Sequence, residues 1–349
     1  MAGIMESYRR VCVFIVCLVV LGAAGGAAQQ SASATPAALT PRTGHAMATA
    51  GKDGGVIVIG GSPAAGDSAW RFSGGTWQPI APGGPANRLM IAAAFDSRRN
   101  VLVAFGGVGA RNGSRYGETW EWNGRLWEER DVRGPGARDH HAMAYDEARG
   151  QVVMYGGMNG DHKGLQSDTW TWDGAVWTRA EEQSGPGGVG HHAMAYDSKR
   201  QRVVLYGGIT DNGPASTDVW EWDGKSWLRI PSAGAAGPGP RSHIKLAYDA
   251  ARGVVVMFGG GVPGAGPSGN PPTDTWTWDG RAWTRAATIG PTARYLHAMA
   301  YDSARQRIVM TAGNRSARPY DVLADTWEWD GTSWKEVGRL TPSTSPASR

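Results

Sequence analysis

Short apolar runs, separated by turns rich in glycine and polar residues, recur along almost the whole chain. In the stretch 135–185, the runs 140–146 and 151–157 have the length of strands and are joined by a tight polar turn. Residues 168–172 then alternate between polar and apolar positions, Asp173-Gly174 forms a strong hairpin signal, and Trp177 opens a further strand. The pattern predicts a four-stranded antiparallel meander.

The meander repeats. All 17 tryptophans fall within a unit that returns about every 50 residues. The first aromatic residues of the units are separated by 50, 50, 50, 56 and 51 residues; they are Trp70, Trp120, Trp170, Trp220, Trp276 and Trp327. A period of this length with strands inside it indicates a propeller or a linear array. Because both faces of such a sheet are apolar, each sheet must stack between two other sheets. We therefore predict an all-β fold, a six-bladed β-propeller of four-stranded antiparallel blades.

The termini differ from the repeats. Arg9 and Arg10 precede the apolar run 11–21, and small residues follow up to Ala28, which is the layout of a secretory signal peptide. An uncleaved membrane anchor is the alternative. We therefore expect a signal peptide at 1–28, a linker at 29–40, the propeller at 41–338 and a disordered tail at 339–349. The blades are expected at about 41–84, 85–134, 135–185, 186–237, 238–290 and 291–338.

Composition excludes several kinds of chemistry. Both cysteines, Cys12 and Cys17, lie in the predicted leader, so the exported chain has no thiolate nucleophile and no thiolate metal site. Removing the leader lowers the formal charge from +4 to +3, which is too small a bias to indicate nucleic-acid binding. We expect a monomer outside the cytoplasm, secreted or periplasmic, with no cofactor, no metal and no membrane span after cleavage.

Two further motifs recur at fixed places in the repeat. A glycine pair closes the second strand, at 60–61, 106–107, 156–157, 207–208 and 259–260. A Tyr-Asp-x-x-Arg motif precedes that strand in four units, beginning at Tyr145, Tyr196, Tyr248 and Tyr301. With the Asp-x-Trp and later Trp, these motifs resemble the bacterial kelch repeat over about residues 41–338. The resemblance implies a propeller, in a family that includes copper radical oxidases, a sialic-acid epimerase and many protein-binding modules. The oxidase cofactor requires a cysteine, which the exported chain lacks.

Arginines recur eight residues before the aspartate of each motif, where the first strand begins. The series is Arg42, Arg88, Arg138, Arg241 and Arg294, and Val189 interrupts it in the fourth unit. Five guanidinium groups around a channel mouth would suit carboxylate or phosphate groups. In the resembling family, arginines at this place face the ligand in some members. The alternative is structural: each arginine would clamp an acidic residue of a neighbouring blade, from the set Glu118, Asp168, Asp218, Asp274 and Asp325.

Histidines also concentrate at the start of the first strands. The series includes His140, His191 and His243, and two of these are followed directly by a second histidine. Adjacent residues of a strand point to opposite faces, so a neighbouring pair does not readily bind one metal ion. Hydrogen bonding between blades is the favoured interpretation, with ligand binding as the alternative.

The long connections, between strands two and three and between successive blades, all fall at one end of the predicted propeller. Loops on a rigid scaffold are where recognition usually occurs. We expect a non-enzymatic module that binds a protein or an anionic glycan there, through the five arginines with His140, His191 and His243, helped by the loops near Arg111, Arg115, Arg315 and Arg318. The alternative is a carbohydrate-active enzyme, of the epimerase or lyase kind, with His140 or His191 and Tyr116 or Tyr320 as acid and base.

Overall fold

Six small sheets build the molecule, and each is formed by one sequence repeat. The computed structural model describes residues 39–51, 53–62, 69–80, 82–160, 164–181, 185–214, 217–231, 237–262, 272–316 and 321–341. Over these residues the chain forms 28 strands and no helix. The predicted leader, residues 29–38 of the predicted linker and residues 342–349 of the predicted tail lie outside them. Leu39 and Leu340 are described and buried, so the packed chain extends beyond the expected bounds of 41 and 338. In the described residues we also find no helix long and apolar enough to cross a lipid bilayer.

The strands are as follows. Blade one has β1 (Thr43–Thr49), β2 (Val56–Ser62), β3 (Trp70–Ser73) and β4 (Thr76–Pro79). Blade two follows the short β5 (Arg88–Leu89) and has β6 (Ala92–Asp96), β7 (Val101–Phe105), β9 (Thr119–Trp122) and β10 (Trp127–Arg130), with β8 (Val108–Gly109) in its long loop. Blade three has β11 (Ala142–Asp146), β12 (Gln151–Tyr155), β13 (Thr169–Trp172) and β14 (Trp177–Arg179).

Blade four has β15 (Ala193–Asp197), β16 (Arg202–Tyr206), β19 (Val219–Trp222) and β20 (Trp227–Ile230), with β17 (Ile209–Thr210) and β18 (Gly213–Pro214) in its long loop. Blade five has β21 (Lys245–Asp249), β22 (Val254–Phe258), β23 (Thr275–Trp278) and β24 (Trp283–Ala287). Blade six has β25 (Ala298–Asp302), β26 (Arg307–Thr311), β27 (Asp325–Trp329) and β28 (Trp334–Arg339).

The blades close into a ring. Within each blade the four strands pair in sequence order and antiparallel. The first strands contact one another in a closed cycle, β1 to β6, β11, β15, β21, β25 and back to β1. These strands therefore surround the axis, and the all-β, six-bladed propeller predicted from the repeat is confirmed.

In the described residues, six apolar clusters form the core, one at each interface between blades, and a smaller seventh cluster packs Leu39 and Leu340 against Trp70 and Ala312. Within a blade, the last aromatic of the third strand pairs across the hairpin with the first of the fourth, as Trp172 does with Trp177. Their ring centroids are 5.5 Å apart. Trp172, Trp222 and Trp329 are fully buried between neighbouring blades. Burial of each such side chain stabilises the fold by about 2–3 kcal/mol, so the tryptophan repeat explains the packing of the ring.

The glycine pairs allow the blades to approach closely. Gly156 and Gly157 have φ of 67° and 96°, a region that side chains strongly disfavour. A Cβ atom on Gly156 would lie 2.4 Å from the carbonyl oxygen of Val189 in the next blade. The amide of Gly157 donates to that same carbonyl at 2.9 Å. The pair is thus required by a backbone contact between blades.

Tryptophans of the fourth strands also tie four of the six blades to the blade before them. The indole N–H of Trp177 donates to Thr119 Oγ1 at 2.8 Å, and that of Trp227 to Thr169 Oγ1 at 2.9 Å. Trp334 and Trp77 make the same bond across the blade five–six and blade six–one interfaces, to Thr275 and Thr326. In blades one and four the threonine position holds Ala69 and Val219. Among the described residues, the indole nitrogens that face these two, in Trp127 and Trp283, are buried without a partner.

This difference between blades yields a paired prediction. Thr169→Val is close in shape but removes the acceptor of the Trp227 indole, so we expect a loss of about 1–2 kcal/mol in the free energy of unfolding. Val219→Thr supplies an acceptor to the buried Trp283 indole and is expected to stabilise the protein. Urea unfolding followed by tryptophan fluorescence measures both. Equal destabilisation by the two substitutions would show that the hydroxyl contributes nothing and only the change of shape matters.

Candidate functional site

The five predicted arginines lie at the long-loop end, but their guanidinium groups are buried. None of the five is more than 7% exposed. Arg138 donates to both carboxylate oxygens of Asp168, at 2.6 and 3.1 Å, and Arg294 donates to both oxygens of Asp325, at 2.6 and 2.7 Å. Arg88 pairs with Glu118 and Arg241 with Asp274. Arg42 donates to the carbonyl oxygens of Thr40 and Gly60. The arrangement leaves these groups no exposed face for a ligand.

The carboxylate partners belong to the same repeat as their arginines, which corrects the expected pairing with a neighbouring blade. The carbonyl oxygen of Arg138 accepts a hydrogen bond from Gly107 of blade two at 2.9 Å, whereas its side chain turns back into blade three. Each arginine segment thus contacts two blades, one through the backbone and one through the side chain. Burial alone would raise the pKa of Asp168. The hydrogen bonds and the charge of Arg138 lower this pKa by more than burial raises it, so the net shift is downward.

In each blade, the residue two positions after the clamp arginine, or after Val189 in blade four, closes the end of the axial channel. Six residues, one per blade, adopt left-handed backbone conformations with φ between 53° and 65°; they are Gly44, Met90, His140, His191, His243 and Leu296, here called the axial ring. Backbone amides in the ring donate to the carbonyl of the preceding blade, including His191 to His140 at 3.1 Å and His243 to His191 at 2.8 Å. For a residue other than glycine this conformation costs about 1–2 kcal/mol. The repeated backbone bonds hold it in place.

The axial ring brings three of the predicted site residues together. The imidazole centroids of His140 and His191 are 3.8 Å apart, those of His191 and His243 are 4.0 Å apart, and those of His140 and His243 are 6.1 Å apart. Each offers a ring nitrogen within 4.8 Å of the others. We call these three residues the histidine trio. All are half-buried.

The second histidines have a different role. His141 and His192 are fully enclosed between blades, and their rings pack edge-on against Phe105 and Tyr155 of the preceding blade, at 5.6 and 6.0 Å between centroids. His297 meets Phe258 in the same way at 5.9 Å. The expected opposition of adjacent histidines is therefore present: the first faces the axis and the second faces the blade interface.

Polar groups surround the trio. The Nδ1 atom of His140 lies 2.5 Å from Asp139 Oδ1, and the other oxygen of Asp139 lies 2.7 Å from Arg115 Nε. The Nδ1 atom of His243 lies 3.0 Å from Ser242 Oγ. A histidine that donates through Nδ1 keeps the lone pair of Nε2 free. Asp139 and Ser242 were not singled out in the sequence, and the only signal was their position directly before a trio residue.

Lys245 is a further residue that sequence reasoning missed. It begins the first strand of blade five, where the other blades have Ala46, Ala92, Ala142, Ala193 and Ala298. It lines the same axial cavity as the trio. Burial lowers the pKa of Lys245 to about 8. Among the described residues no carboxylate pairs with it. Its break with an otherwise regular alanine series was the available signal.

The cavities along the axis are unequal. The one beneath the axial ring has a volume of about 40 Å³, and the next one inward about 90 Å³. The opposite end opens into a cavity of about 400 Å³, lined by Met47, Met143, Met194 and Met299 with tyrosines of the Tyr-Asp motifs. As far as the described residues show, the channel is therefore nearly closed at the predicted binding end, where the left-handed residues turn inward across it.

The acid and base of the alternative enzyme hypothesis are not assembled in the described residues. The Tyr116 ring lies against the Arg88 guanidinium, whose central carbon is 4.0 Å from the ring centroid. Tyr320 and Arg318 lie outside the described residues. Arg115 is held by Asp139, whereas Arg111 and Arg315 are exposed on the loops.

The arginine clamp makes a testable contribution to stability. Arg138→Met leaves the Asp168 carboxylate partly buried without its cation, and we expect a loss of about 3 kcal/mol in the free energy of unfolding. Adding Asp168→Asn removes the unpaired charge while keeping an acceptor for the Trp170 indole, so the double variant is expected to recover part of the loss. Chemical unfolding of the wild type and three variants measures the coupling. Strictly additive losses would contradict the clamp.

The buried histidines predict instability in acid. Burial lowers the pKa of His192 and of His243 to about 3, and lowers those of His45, His141, His191 and His297 well below the ordinary value. The unfolded chain, with histidine pKa near about 6.5, then binds more protons than the folded one. The contribution of these histidines to stability is therefore complete above about pH 6.5 and falls below it, by up to about 1.4 kcal/mol per pH unit for each histidine.

A matched variant isolates this effect. Blades two and five carry Ile91 and Ile244 where blade four has His192, so His192→Ile is a replacement that the repeat already accommodates. We expect it to reduce the slope of unfolding free energy against pH, between pH 6.5 and 5, by about one proton. Urea titrations at a series of pH values measure the slope. An unchanged slope would show that His192 is not buried in its neutral form.

Comparisons with known proteins bear on the fold. No family model matches the chain, and no curated protein sequence matches it. Among solved structures, 376 chains are similar. One of them, described as "Structure of YjhT", has a TM-score of 0.67 and 15% sequence identity, over 84% of this chain and 96% of that chain. At this identity the likeness shows the fold alone: the chain shares the architecture of known β-propellers.

Proposed function

We propose that the chain is an exported kelch-type binding module that recognises a protein or an anionic glycan on its long-loop face. One observation carries the proposal. Among the described residues, the axial ring closes this end of the channel and leaves a cavity of about 40 Å³, far below the roughly 300 Å³ of a small-molecule pocket. A closed face rimmed by loops suits a ligand that lies across it rather than one that is enclosed by it.

The loops form a stiff support for such a ligand. On each of five blades, the chain just beyond the glycine pair makes a backbone bridge to the residue before the axial-ring position, as Met158 does with Asp139, Ile209 with Gly190 and Gly261 with Ser242. We call the described loop residues 106–118, 156–160, 207–214, 259–262 and 312–316 the loop platform. A rigid surface loses little conformational entropy on binding, which favours recognition of a large partner.

Charge on the platform supports the preference for an anionic partner. Because the five clamp arginines are buried, the ligand contacts fall to exposed cations. Arg111 and Arg315 are exposed there, and Lys245 adds a positive charge beneath the axial ring. Exposed arginines bind carboxylates and sulfates in a bidentate manner. The anchor residues predicted from the sequence are thereby replaced by loop residues in the proposal.

The enzyme alternative has weaker support. An epimerase or lyase needs a sugar enclosed beside an acid and a base, whereas the cavity that the described residues form at the loop end, of about 40 Å³, is too small to enclose one. The larger cavity, of about 400 Å³, lies at the opposite end and is lined mainly by methionine, alanine and tyrosine side chains. Turnover of a bound sugar would restore this alternative.

A thermal-shift screen tests the proposal. The leaderless protein is melted with uronic acids, sialic acid, and sulfated and uronic-acid polysaccharides, because a ligand that binds only the folded state raises the melting temperature. We expect a stabilising ligand among the polyanions, and we expect Arg111→Glu with Arg315→Glu to abolish its effect. Arg125→Glu with Arg281→Glu makes the same charge change in exposed hairpin turns at the other end and is expected to leave it intact.

If the ligand still raised the melting temperature of the Arg111→Glu, Arg315→Glu variant but not that of the Arg125→Glu, Arg281→Glu variant, the loop platform would be refuted as the binding surface. If no polyanion stabilises the wild type, the glycan part of the proposal is wrong. The search for a protein partner then compares what binds to the immobilised wild type with what binds to the immobilised Arg111→Glu, Arg315→Glu variant. The clamp variants Arg138→Ala and Arg241→Ala complete the comparison, because they are expected to melt at lower temperature with or without ligand.

A further inference from the structure

The structure assigns a divalent transition-metal site to the histidine trio, with His140, His191 and His243 as ligands and Zn²⁺ as the fitting ion. The inference does not depend on the proposed binding function. It rests on the convergence of three imidazoles on the propeller axis, from three consecutive blades, at the level of the axial ring.

The spacing of the nitrogens is within reach of one ion. Each histidine offers a ring nitrogen within 4.8 Å of the other two. Ligands of a tetrahedral zinc ion, at about 2.0–2.1 Å from the metal, are about 3.4 Å apart. Rotation of the imidazoles about their χ angles would bring the nitrogens to this spacing around an ion in the cavity of about 40 Å³ that the three rings line.

The surroundings of the trio prepare the nitrogens for a metal. The contact of 2.5 Å between His140 Nδ1 and Asp139 Oδ1 places the proton on Nδ1 and directs Nε2 to the ion. This carboxylate–histidine arrangement is common behind metal ligands, where it orients the ring and raises its basicity. Asp139 is itself fixed by Arg115 at 2.7 Å. Ser242 Oγ takes the equivalent place beside His243 Nδ1 at 3.0 Å.

The third ligand is the least satisfied of the trio. Nδ1 of His191 is buried and has no hydrogen-bond partner among the described residues. A buried polar atom without a partner costs about 1–3 kcal/mol, and a bound ion would relieve the loss.

The donor set points to the class of ion. Three imidazoles without thiolate suit zinc, copper and nickel, whereas magnesium and calcium prefer oxygen ligands. Three protein ligands also leave a coordination position open for water or for a group from a partner.

Lys245 opposes the ion and therefore provides a sensitive control. It lines the same cavity as the trio. Repulsion between its ammonium group and a dication would weaken binding of the ion. Replacing it by alanine, the residue of the other five blades, removes that repulsion. Lys245→Ala is expected to bind zinc more tightly than the wild type does.

The test is titration of the leaderless protein, without a histidine tag and after treatment with chelator, with Zn²⁺ by calorimetry and with Co²⁺ by visible absorption. We expect one ion per chain and cobalt bands typical of nitrogen coordination. His191→Leu and His243→Leu reproduce the residue that blade six has at Leu296, with the same left-handed backbone, so the fold is expected to survive. Each should weaken zinc binding at least tenfold. Met90→Leu, in the same ring, should not.

Zinc binding by His191→Leu with wild-type affinity would overturn the assignment. So would weaker binding by Lys245→Ala, because it would place the ion away from the cavity that the trio and Lys245 share. Absence of any stoichiometric zinc or cobalt binding by the wild type would likewise overturn it. Far-ultraviolet circular dichroism on each variant shows that the propeller is intact.

Discussion

Each blade is apolar on both faces, and this property constrains everything else in the molecule. A four-stranded sheet of this kind has no solvent-facing side, so it is stable only between two neighbours. Six such sheets bury all of their apolar faces against one another by closing a ring. Among the described strands, none is exchanged at the junction of blades one and six. The junction is closed by apolar side chains, including Met47 and Val309, by the bond from Trp77 to Thr326 at 3.1 Å, and by backbone hydrogen bonds such as that from Gly313 to Arg42 at 3.0 Å.

Closure also determines what lies at the axis. The first strands pack together there, so the chain that enters each of them must turn inward at the long-loop end. Six left-handed residues make this turn, and backbone hydrogen bonds from blade to blade join Gly44 to Leu296, Met90 to Gly44, His191 to His140 and His243 to His191. All six positions have the same backbone conformation, whereas the side chains differ. Histidine occupies three consecutive positions, and the convergence of His140, His191 and His243 follows from their order in the ring. The candidate site is thus a local change of sequence on a repeated backbone.

Much of the fold could be predicted from the sequence, because the repeated tryptophans, such as Trp172, and the repeated glycine pairs each mark a contact that recurs between blades.

The role of the arginines was harder to predict. Their position before the first strand indicates proximity to the channel, but not whether the side chain turns to the axis or back into its own blade. The nearly constant spacing of 30 or 31 residues in the pairs Arg88–Glu118, Arg138–Asp168 and Arg294–Asp325 was a usable signal for the clamp. The convergence of the histidine trio could not be predicted from the sequence. Alternation along a strand places His140 and His141 on opposite faces, but it does not show which of the two reaches the axis. Lys245 is visible only as an exception in a series of alanines.

The histidine trio as a metal site is the claim on which the chemical account of the axis depends. Anomalous X-ray diffraction, recorded on either side of the zinc absorption edge from crystals of the leaderless protein grown with zinc, tests it most directly. The account predicts an anomalous peak on the propeller axis, within bonding distance of nitrogens from His140, His191 and His243. A zinc peak only at other positions, or an empty axis with the three rings still in contact, would contradict it.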